Sequence, residues 1–385
     1  MSHFSYNSVP RLEIGCGAVT QLARVCGELN IARPIIVTDN GIVSLGLVRS
    51  SLRALTEAGF DPVVFDHISP DPPEQNVVDA LAQARANTCD GVIGFGGGSS
   101  MDVAKLVAVL MQGQQSLQEI YGVDQISSAR VPLIQIPTTA GTGSEATAVA
   151  IITTGESTKA GVVSPVLLAD QVILDAELTL GLPAHVTAAT GIDAMVHAIE
   201  AFTSVRLKNP ISDMVAMQAL RLLSANIEAA VSDGSNIKVR ENMLLGAMLA
   251  GQAFANAPVA AVHALAYPLG GTYHIAHGLS NSLMLPHVLR FNSAARAGWY
   301  LQIADNVAGL DTSRCNEANI GDRLAEHFLR LAERLKLQTR LRELGIAKEA
   351  LPDLAEQSMG QQRLLINNPR DVSQADALML YQEAY

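Results

Sequence analysis

Basic clusters, paired cysteines and uninterrupted apolar runs of membrane-spanning length are all missing from this chain of 385 residues. A net charge of −11, with no cluster of Lys or Arg to offset it, sets the chain against DNA, RNA or any other polyanion as a partner. Its four cysteines, Cys16, Cys26, Cys89 and Cys315, stand far apart with no C-x-x-C pair, the usage of reduced thiols rather than of a disulfide framework. The opening stretch, MSHFSYNSVPRLEIG, holds no apolar core of the secretory type. Residues 242 to 289 lack Asp, Glu, Lys and Arg altogether, but Gln252, Asn256, Pro258, Pro268 and four histidines interrupt them. Lipid tolerates such a segment poorly, so it predicts protein interior instead of a membrane span. These absences together predict a cytoplasmic protein with no membrane and no nucleic-acid partner.

What is present is a globular composition, with 49% hydrophobic and 16% charged residues and a length that suggests two domains. The first half alternates β-branched runs with helical patterns: strands at Pro34 to Thr38, Pro62 to Phe65, Gly91 to Phe95 and Val131 to Ile136, and helices near 45 to 58, at Glu74 to Ala86 and from Met101. Apolar, non-alternating strands separated by helices predict a parallel, doubly wound sheet covered on both faces. From about Pro183 the apolar period becomes 3.6, as in Ser212 to Ala225 and Ile320 to Leu335. The expected architecture is an α/β domain over 1–182 followed by an all-helical domain over 183–385, with the cleft between them as the default site.

Gly94, Gly96, Gly97, Gly98 and Ser99 lie between a strand and a helix. Consecutive glycines admit a ligand close to the backbone, and the helix start offers free N–H donors to a pyrophosphate. Ser99 and Asp102 also fit a capping box, and a plain tight turn accounts for the same glycines. Asp39, at the end of the first strand, suits the 2′-hydroxyl of an adenosine ribose and opposes a 2′-phosphate, which favours NAD over NADP; a turn aspartate before Asn40 and Gly41 is the plainer reading. A second polar loop, Pro137 to Thr147, carries six hydroxyl or carboxylate side chains and suits a ribose and phosphate clamp.

Asp193 and His197 are i and i+4 at what reads as a helix start, so both project from one face. His263 and His277 follow within the charge-free stretch. One carboxylate and three imidazoles satisfy a divalent ion such as Fe²⁺ or Zn²⁺, and a metal removes the cost of leaving such groups buried and unpaired. His274 and His287 are rival donors on spacing alone, whereas His3, His67, His185 and His327 read as surface or capping residues.

GGGSSMDVAK at 96–105, PTTAGTGSEAT at 137–147, TGIDAMVHAIE at 190–200, HALAYPLGG at 263–271 and HGLSNSLMLPHV at 277–288 together resemble the iron-containing (group III) alcohol dehydrogenase family. That family belongs to the dehydroquinate synthase-like superfamily, and the motifs occur in family order over nearly the whole chain. The resemblance implies a metal held by Asp193, His197, His263 and His277, which selects them over His274 and His287. It implies NAD(P) bound across Asp39, Gly96, Gly97, Gly98, Ser99, Thr138, Thr139, Thr142 and Thr147, with Lys159 near the nicotinamide ribose, Leu178 on the cofactor wall and Asp71 toward the adenine side. It also implies a homodimer. Several family members carry histidine, thought to relay the alcohol proton, where this chain has Tyr267, which leaves Tyr267 a candidate relay.

The reaction so implied is hydride transfer between a small primary or secondary alcohol and NAD, with a Lewis-acidic ion activating the substrate oxygen. A hydroxyacid–oxoacid transhydrogenase uses the same parts. So does a dehydroquinate synthase-like lyase, but its phosphorylated substrate calls for Lys and Arg near the metal ligands, where residues 242 to 289 have none. A metalloprotein that binds without catalysis is a further alternative.

Overall fold

The apolar runs of the first half pair as a six-stranded, all-parallel sheet in a computed structural model whose described residues are 3–155 and 158–385. The strands of that sheet are β1 (Leu12–Ile14), β2 (Pro34–Val37), β3 (Val63–Phe65), β4 (Gly91–Gly96), β6 (Leu133–Pro137) and β9 (Gln171–Leu174), in the spatial order β1-β9-β6-β4-β2-β3. A small second sheet joins β5 (Gly122–Val123), β8 (Thr158–Val163) and β7 (Val149–Thr154), with β7 and β8 antiparallel. The helices of this unit are α1 (Leu22–Glu28), α2 (Asn40–Ser44), α3 (Arg49–Glu57), α4 (Glu74–Ala86) and α5 (Gly98–Gln112).

Alternation along the strands explains why the runs are apolar throughout. Ile36, Ile93, Ile134 and Ile173 pack with Leu22, Val25, Cys26 and Leu55, so one face is covered by α1 and α3. The neighbouring positions turn the other way: a Cβ at Gly94 would meet Ala104 of α5 at 2.9 Å, and Gln135 donates to the Met101 carbonyl at 3.0 Å. Full burial of each Ile in β2 contributes about 1.5–3 kcal/mol. From β2 the chain winds outward to β3 and then back across β2 to β4, so β2 and β4 flank the point where strand order reverses.

The remaining unit is helical: α6 (Ala184–Thr203), α7 (Pro210–Ser232), α8 (Ile237–Asn256), α9 (Ala261–Tyr273), α10 (His277–Ala304), α11 (Ile320–Arg334), α12 (Leu351–Met359), α13 (Gln362–Leu365) and α14 (Gln374–Glu383). Helix α6 packs against α7, α8 and α10, and α10 against α9 and α11. The division is not the contiguous one expected at 182/183: the stretch up to Tyr6 and Ala140–Thr142 group with Gly181–Tyr385, and Asn7–Thr139 with Gly143–Leu180. Most of the charge-free stretch is interior, including Ala247, Ala250, Ala264, Leu265, Leu283 and Met284. Among the described residues no single helix is long and apolar enough to cross a membrane; α8 and α9 meet that test only as a pair bent by 107°.

Several boundaries differ from the expectation. The helix expected near 45 to 58 is α3, which starts only at Arg49 and is preceded by the unexpected short α2, and the one expected from Met101 begins at Gly98. The Ser99–Asp102 capping box does not form, since α5 is entered from Gly97 with no side-chain cap. Asp102 turns instead to accept from Ser144 Oγ at 2.5 Å and from the Ile151 N–H at 2.9 Å.

Candidate metal centre and nucleotide turn

Asp193 and His197 lie in the middle of α6, not at its start, because the helix begins at Ala184. The α9 helix carries His263 and the first turn of α10 carries His277. One donor atom from each of these four residues lies within 4.8 Å of the other three. Asp193 Oδ1 is 3.9 Å from His197 Nε2 and 3.7 Å from His277 Nε2. The His197 and His263 rings stack with centroids 4.8 Å apart, and the Phe254 ring packs on His197 with centroids 4.6 Å apart. Asp193, His197 and His263 are buried, while the His277 side chain is 42% exposed. The rival donors fall elsewhere: His274 caps the end of α9 in a left-handed conformation, and His287 is buried beside Glu383.

Close approach of α10 to α6 depends on one residue. A Cβ at Gly278 would lie 2.3 Å from the Ala189 carbonyl oxygen of α6, so only glycine lets the turn bearing His277 reach Asp193.

The residues fit an ion. Asn281, one turn after His277, points its Nδ2 at Asp193 Oδ1 (2.6 Å), His263 Nε2 (3.2 Å) and His277 Nε2 (3.3 Å). An amide nitrogen has two hydrogens and here faces three donor atoms, whereas a divalent cation serves all of them. Burial drives the His197 pKa down to about 3, against the pull of Asp193, so its imidazole is neutral and keeps a lone pair to give. Burial alone would raise the Asp193 carboxyl, but the three histidines and Asn281 bring it below its ordinary value, so it is ionised.

Glu200, on the next turn of the same α6 face, is not among the residues that the sequence singles out. Its carboxylate is buried and accepts from the Ala260 and Val262 N–H groups at 2.9 and 2.6 Å, and it meets His263 Nδ1 at 2.6 Å. Spacing was the available signal for Glu200 at i+7 from Asp193, and for Asn281 at i+4 from His277. Tyr267 lies with its ring centroid 5.9 Å from that of His277, and the Arg363 guanidinium sits 5.9 Å over its ring.

In the α/β unit the glycine turn leaves β4 beside the end of β2. Gly96 has φ +152°, and a Cβ there would strike Ser100 at 2.8 Å and approach Asp39 Oδ2 at 3.6 Å. Asp39 is therefore next to the turn at the strand-order reversal, the place where open α/β sheets bind nucleotides. Its Oδ1 also accepts from the Ile42 N–H and caps α2, so both readings of Asp39 describe the same residue. The Thr138 hydroxyl is buried without a partner, and Thr139 lies beside Gly97. Thr147 has a different occupation: with Ser144 and the Val149 carbonyl it takes the three N–H donors of fully buried Lys105, at 2.9, 2.8 and 2.6 Å. Lys159 and Asp71, which the resemblance set toward the nicotinamide ribose and the adenine side, form an ion pair with each other at 2.5 Å. Leu178 belongs to the core of the unit.

Glu145, in the same loop, is fully buried, and burial pushes its carboxyl up to about 7 against the opposing influence of its own N–H and of Lys105. The folded chain thus holds this proton to higher pH than the unfolded chain. Its contribution to stability is complete below about 4.5 and is lost as pH rises to about 7, at up to roughly 1.4 kcal/mol per pH unit. Glu145→Gln should flatten that slope in denaturant titrations between these two pH values; an unchanged slope would assign the proton elsewhere.

A parallel sheet with a glycine turn at its reversal point, and a carboxylate with three imidazoles in a helical unit, suit an enzyme that uses a nucleotide and a metal, and the comparisons fix the class as an oxidoreductase. The family models agree: residues 10–176 match "Iron-containing alcohol dehydrogenase" and residues 187–385 match "Fe-containing alcohol dehydrogenase family, C-terminal". The chain belongs to the iron-containing alcohol dehydrogenase family, and its activity is that of an alcohol oxidoreductase. It is 39% identical to long-chain-alcohol dehydrogenase 1 of Geobacillus thermodenitrificans over 381 residues, covering 98% of this chain and 95% of the relative. The crystal structure of a 1,3-propanediol oxidoreductase superposes with a TM-score of 0.96 at 34% identity, covering all of both chains. Sulfoacetaldehyde reductase from Bifidobacterium kashiwanohense, solved in complex with NAD⁺, gives 0.89 at 29% identity, covering 100% of this chain and 99% of that one.

Proposed function

We propose that the chain transfers hydride between a small primary or secondary alcohol and NAD, using a divalent ion, Fe²⁺ or Zn²⁺, held by Asp193, His197, His263 and His277. The convergence of those four donors within 4.8 Å, three of them buried, carries the reading. The ion supplies Lewis acidity to a substrate oxygen, and the nicotinamide takes up or returns the hydride. The protein's own part is to hold the donors, to keep water away with the apolar packing of α8 to α10, and to align the two reactants. Half-exposed His277 marks the side from which substrate enters, with Tyr267 beside it as the candidate proton relay. The NAD⁺ complex of the Bifidobacterium neighbour supports the cofactor.

For the dinucleotide, Gly96, Gly97, Gly98 and Ser99 present the free N–H groups of the α5 start to the pyrophosphate. Thr138, Thr139 and Thr142 line the ribose side, Leu178 lies behind the ring, and the Asp71–Lys159 pair contacts one ribose. Thr147 acts from behind, by holding Lys105. Asp39 accepts from the 2′-hydroxyl and repels a 2′-phosphate. Asp39→Asn keeps the cap on α2 but removes the charge, so the ratio of kcat/KM for NADP to that for NAD should rise roughly tenfold, about 1.4 kcal/mol. An unchanged ratio would remove Asp39 from coenzyme selection.

Four free cysteines support a reducing, cytoplasmic setting. The edge strand β1, with Leu12 and Ile14 exposed, supports a homodimer. Elemental analysis of the purified protein, with an alcohol and aldehyde screen followed at NADH absorbance, tests the whole reading. Protein free of Fe and Zn that still turns over alcohols would overturn it.

A further inference from the structure

We infer that Glu200 is a positioning residue of this centre: it takes the Nδ1–H of His263 and so leaves Nε2 unprotonated toward the ion. The inference rests on the metal reading above and goes beyond the four donors.

Asp193, His197 and Glu200 stand at i, i+4 and i+7 on one face of α6, so the carboxylate is built into the same surface as two of the donors. It is buried, and three groups of the α9 entry converge on it: the Ala260 N–H and His263 Nδ1 on Oε2, the Val262 N–H on Oε1. Backbone N–H groups can only donate, so Glu200 is an acceptor here, and the 2.6 Å contact with His263 Nδ1 makes that nitrogen the donor. A neutral imidazole carries one N–H, so Nε2 is left with its lone pair, 3.2 Å from Asn281 Nδ2 and within the four-donor cluster. The same bonds fix the ring's orientation and the approach of α9 to α6. Outer carboxylates of this kind raise metal affinity by about 10–100-fold.

A purely structural acceptor for the α9 entry is the competing role, and Glu200→Gln separates the two. Glutamine keeps a carbonyl at the Oε1 position for the Val262 N–H, while its amide at the Oε2 position would donate to His263 Nδ1 and drive the ring proton to Nε2, where it blocks the lone pair, and would leave the Ala260 N–H without its acceptor. Zn²⁺ and Co²⁺ dissociation constants, measured by chelator competition on full-length protein, should rise roughly 10–100-fold in E200Q, beside a modest fall in metal-free Tm from the lost Ala260 bond. E200Q that melts earlier yet holds metal as tightly as the parent overturns the role and leaves the metal reading intact. Parent protein that binds neither ion defeats the metal reading itself. Should E200Q not fold, ¹⁵N-histidine NMR of the metal-free parent at about pH 8, where ordinary imidazoles are neutral, decides. A His263 signal, assigned through His263→Ala, in the Nδ1–H form supports the role, and the Nε2–H form overturns it.

Discussion

Alanine in place of His263 is expected to strip the protein of metal and of turnover together. The loss removes one of the four proposed donors, and a bound ion's Lewis acidity would contribute several kcal/mol to the reaction, so kcat/KM should fall at least about 10²–10³-fold. It also leaves the buried Glu200 carboxylate without its imidazole partner, and breaking such a buried pair is itself destabilising, so Tm should fall as well. His277→Ala provides the contrast. Its side chain is half exposed and leaves no comparable buried group stranded, so metal and activity should go while Tm of the metal-free protein barely moves. Elemental analysis, steady-state kinetics and thermal melts on both variants separate the two losses. Alcohol oxidation surviving in either variant after its metal is shown to be gone would refute the catalytic role of the centre.

Gly278→Ala is expected to do as much harm without touching a donor. The added methyl would lie 2.3 Å from the Ala189 carbonyl oxygen and 2.7 Å from its carbon. Both are backbone atoms in the middle of α6, so no side-chain rotation relieves the clash, and the first turn of α10 must back away by about 1 Å, carrying His277 with it. Overpacking of this kind costs roughly 1–3 kcal/mol. Metal coordination tolerates shifts of only about 0.2 Å, so affinity should fall by more than stability does. Titration of the metal-free variant with Zn²⁺, set beside its Tm, reads both. A variant with parental affinity would show that α10 is not held against α6 as described.

The parts of the fold that could be read from sequence are those whose signal is local. The β-branched runs that became β2, β3, β4 and β6 announce themselves, as does helix α4 with its bounds at Glu74 and Ala86. Edge strand β1 has three residues and β9 four, and each is a strand only because a neighbour pairs with it. The β7–β8 pair gives no such signal, because its first strand follows almost directly on the hydroxyl-rich loop from Pro137 to Thr147. The capping box at Ser99 failed for a related reason: Asp102 has stronger claims on it, from Ser144 and from the Ile151 N–H, neither adjacent in sequence.

The same distinction runs through the centre. Asp193 and His197 were legible as an i, i+4 pair, and family order supplied His263 and His277. Glu200 and Asn281 lie within the same motifs, but their residue types point to no particular task. An aspartate or histidine has few reasons to be buried, whereas a helical glutamate or asparagine has many, and its purpose here appears only when α6, α9 and α10 meet.

Of the four donors proposed to hold the ion, three are sealed and His277 stands at an open edge. Exchange of one cation for another would proceed through that edge, with water or a chelator taking the place of the outer imidazole first. The protein would therefore behave as a reservoir in contact with its surroundings. Which element a given preparation carries would then record the growth medium and the handling of the cells, and reloading in vitro should be quick and reversible.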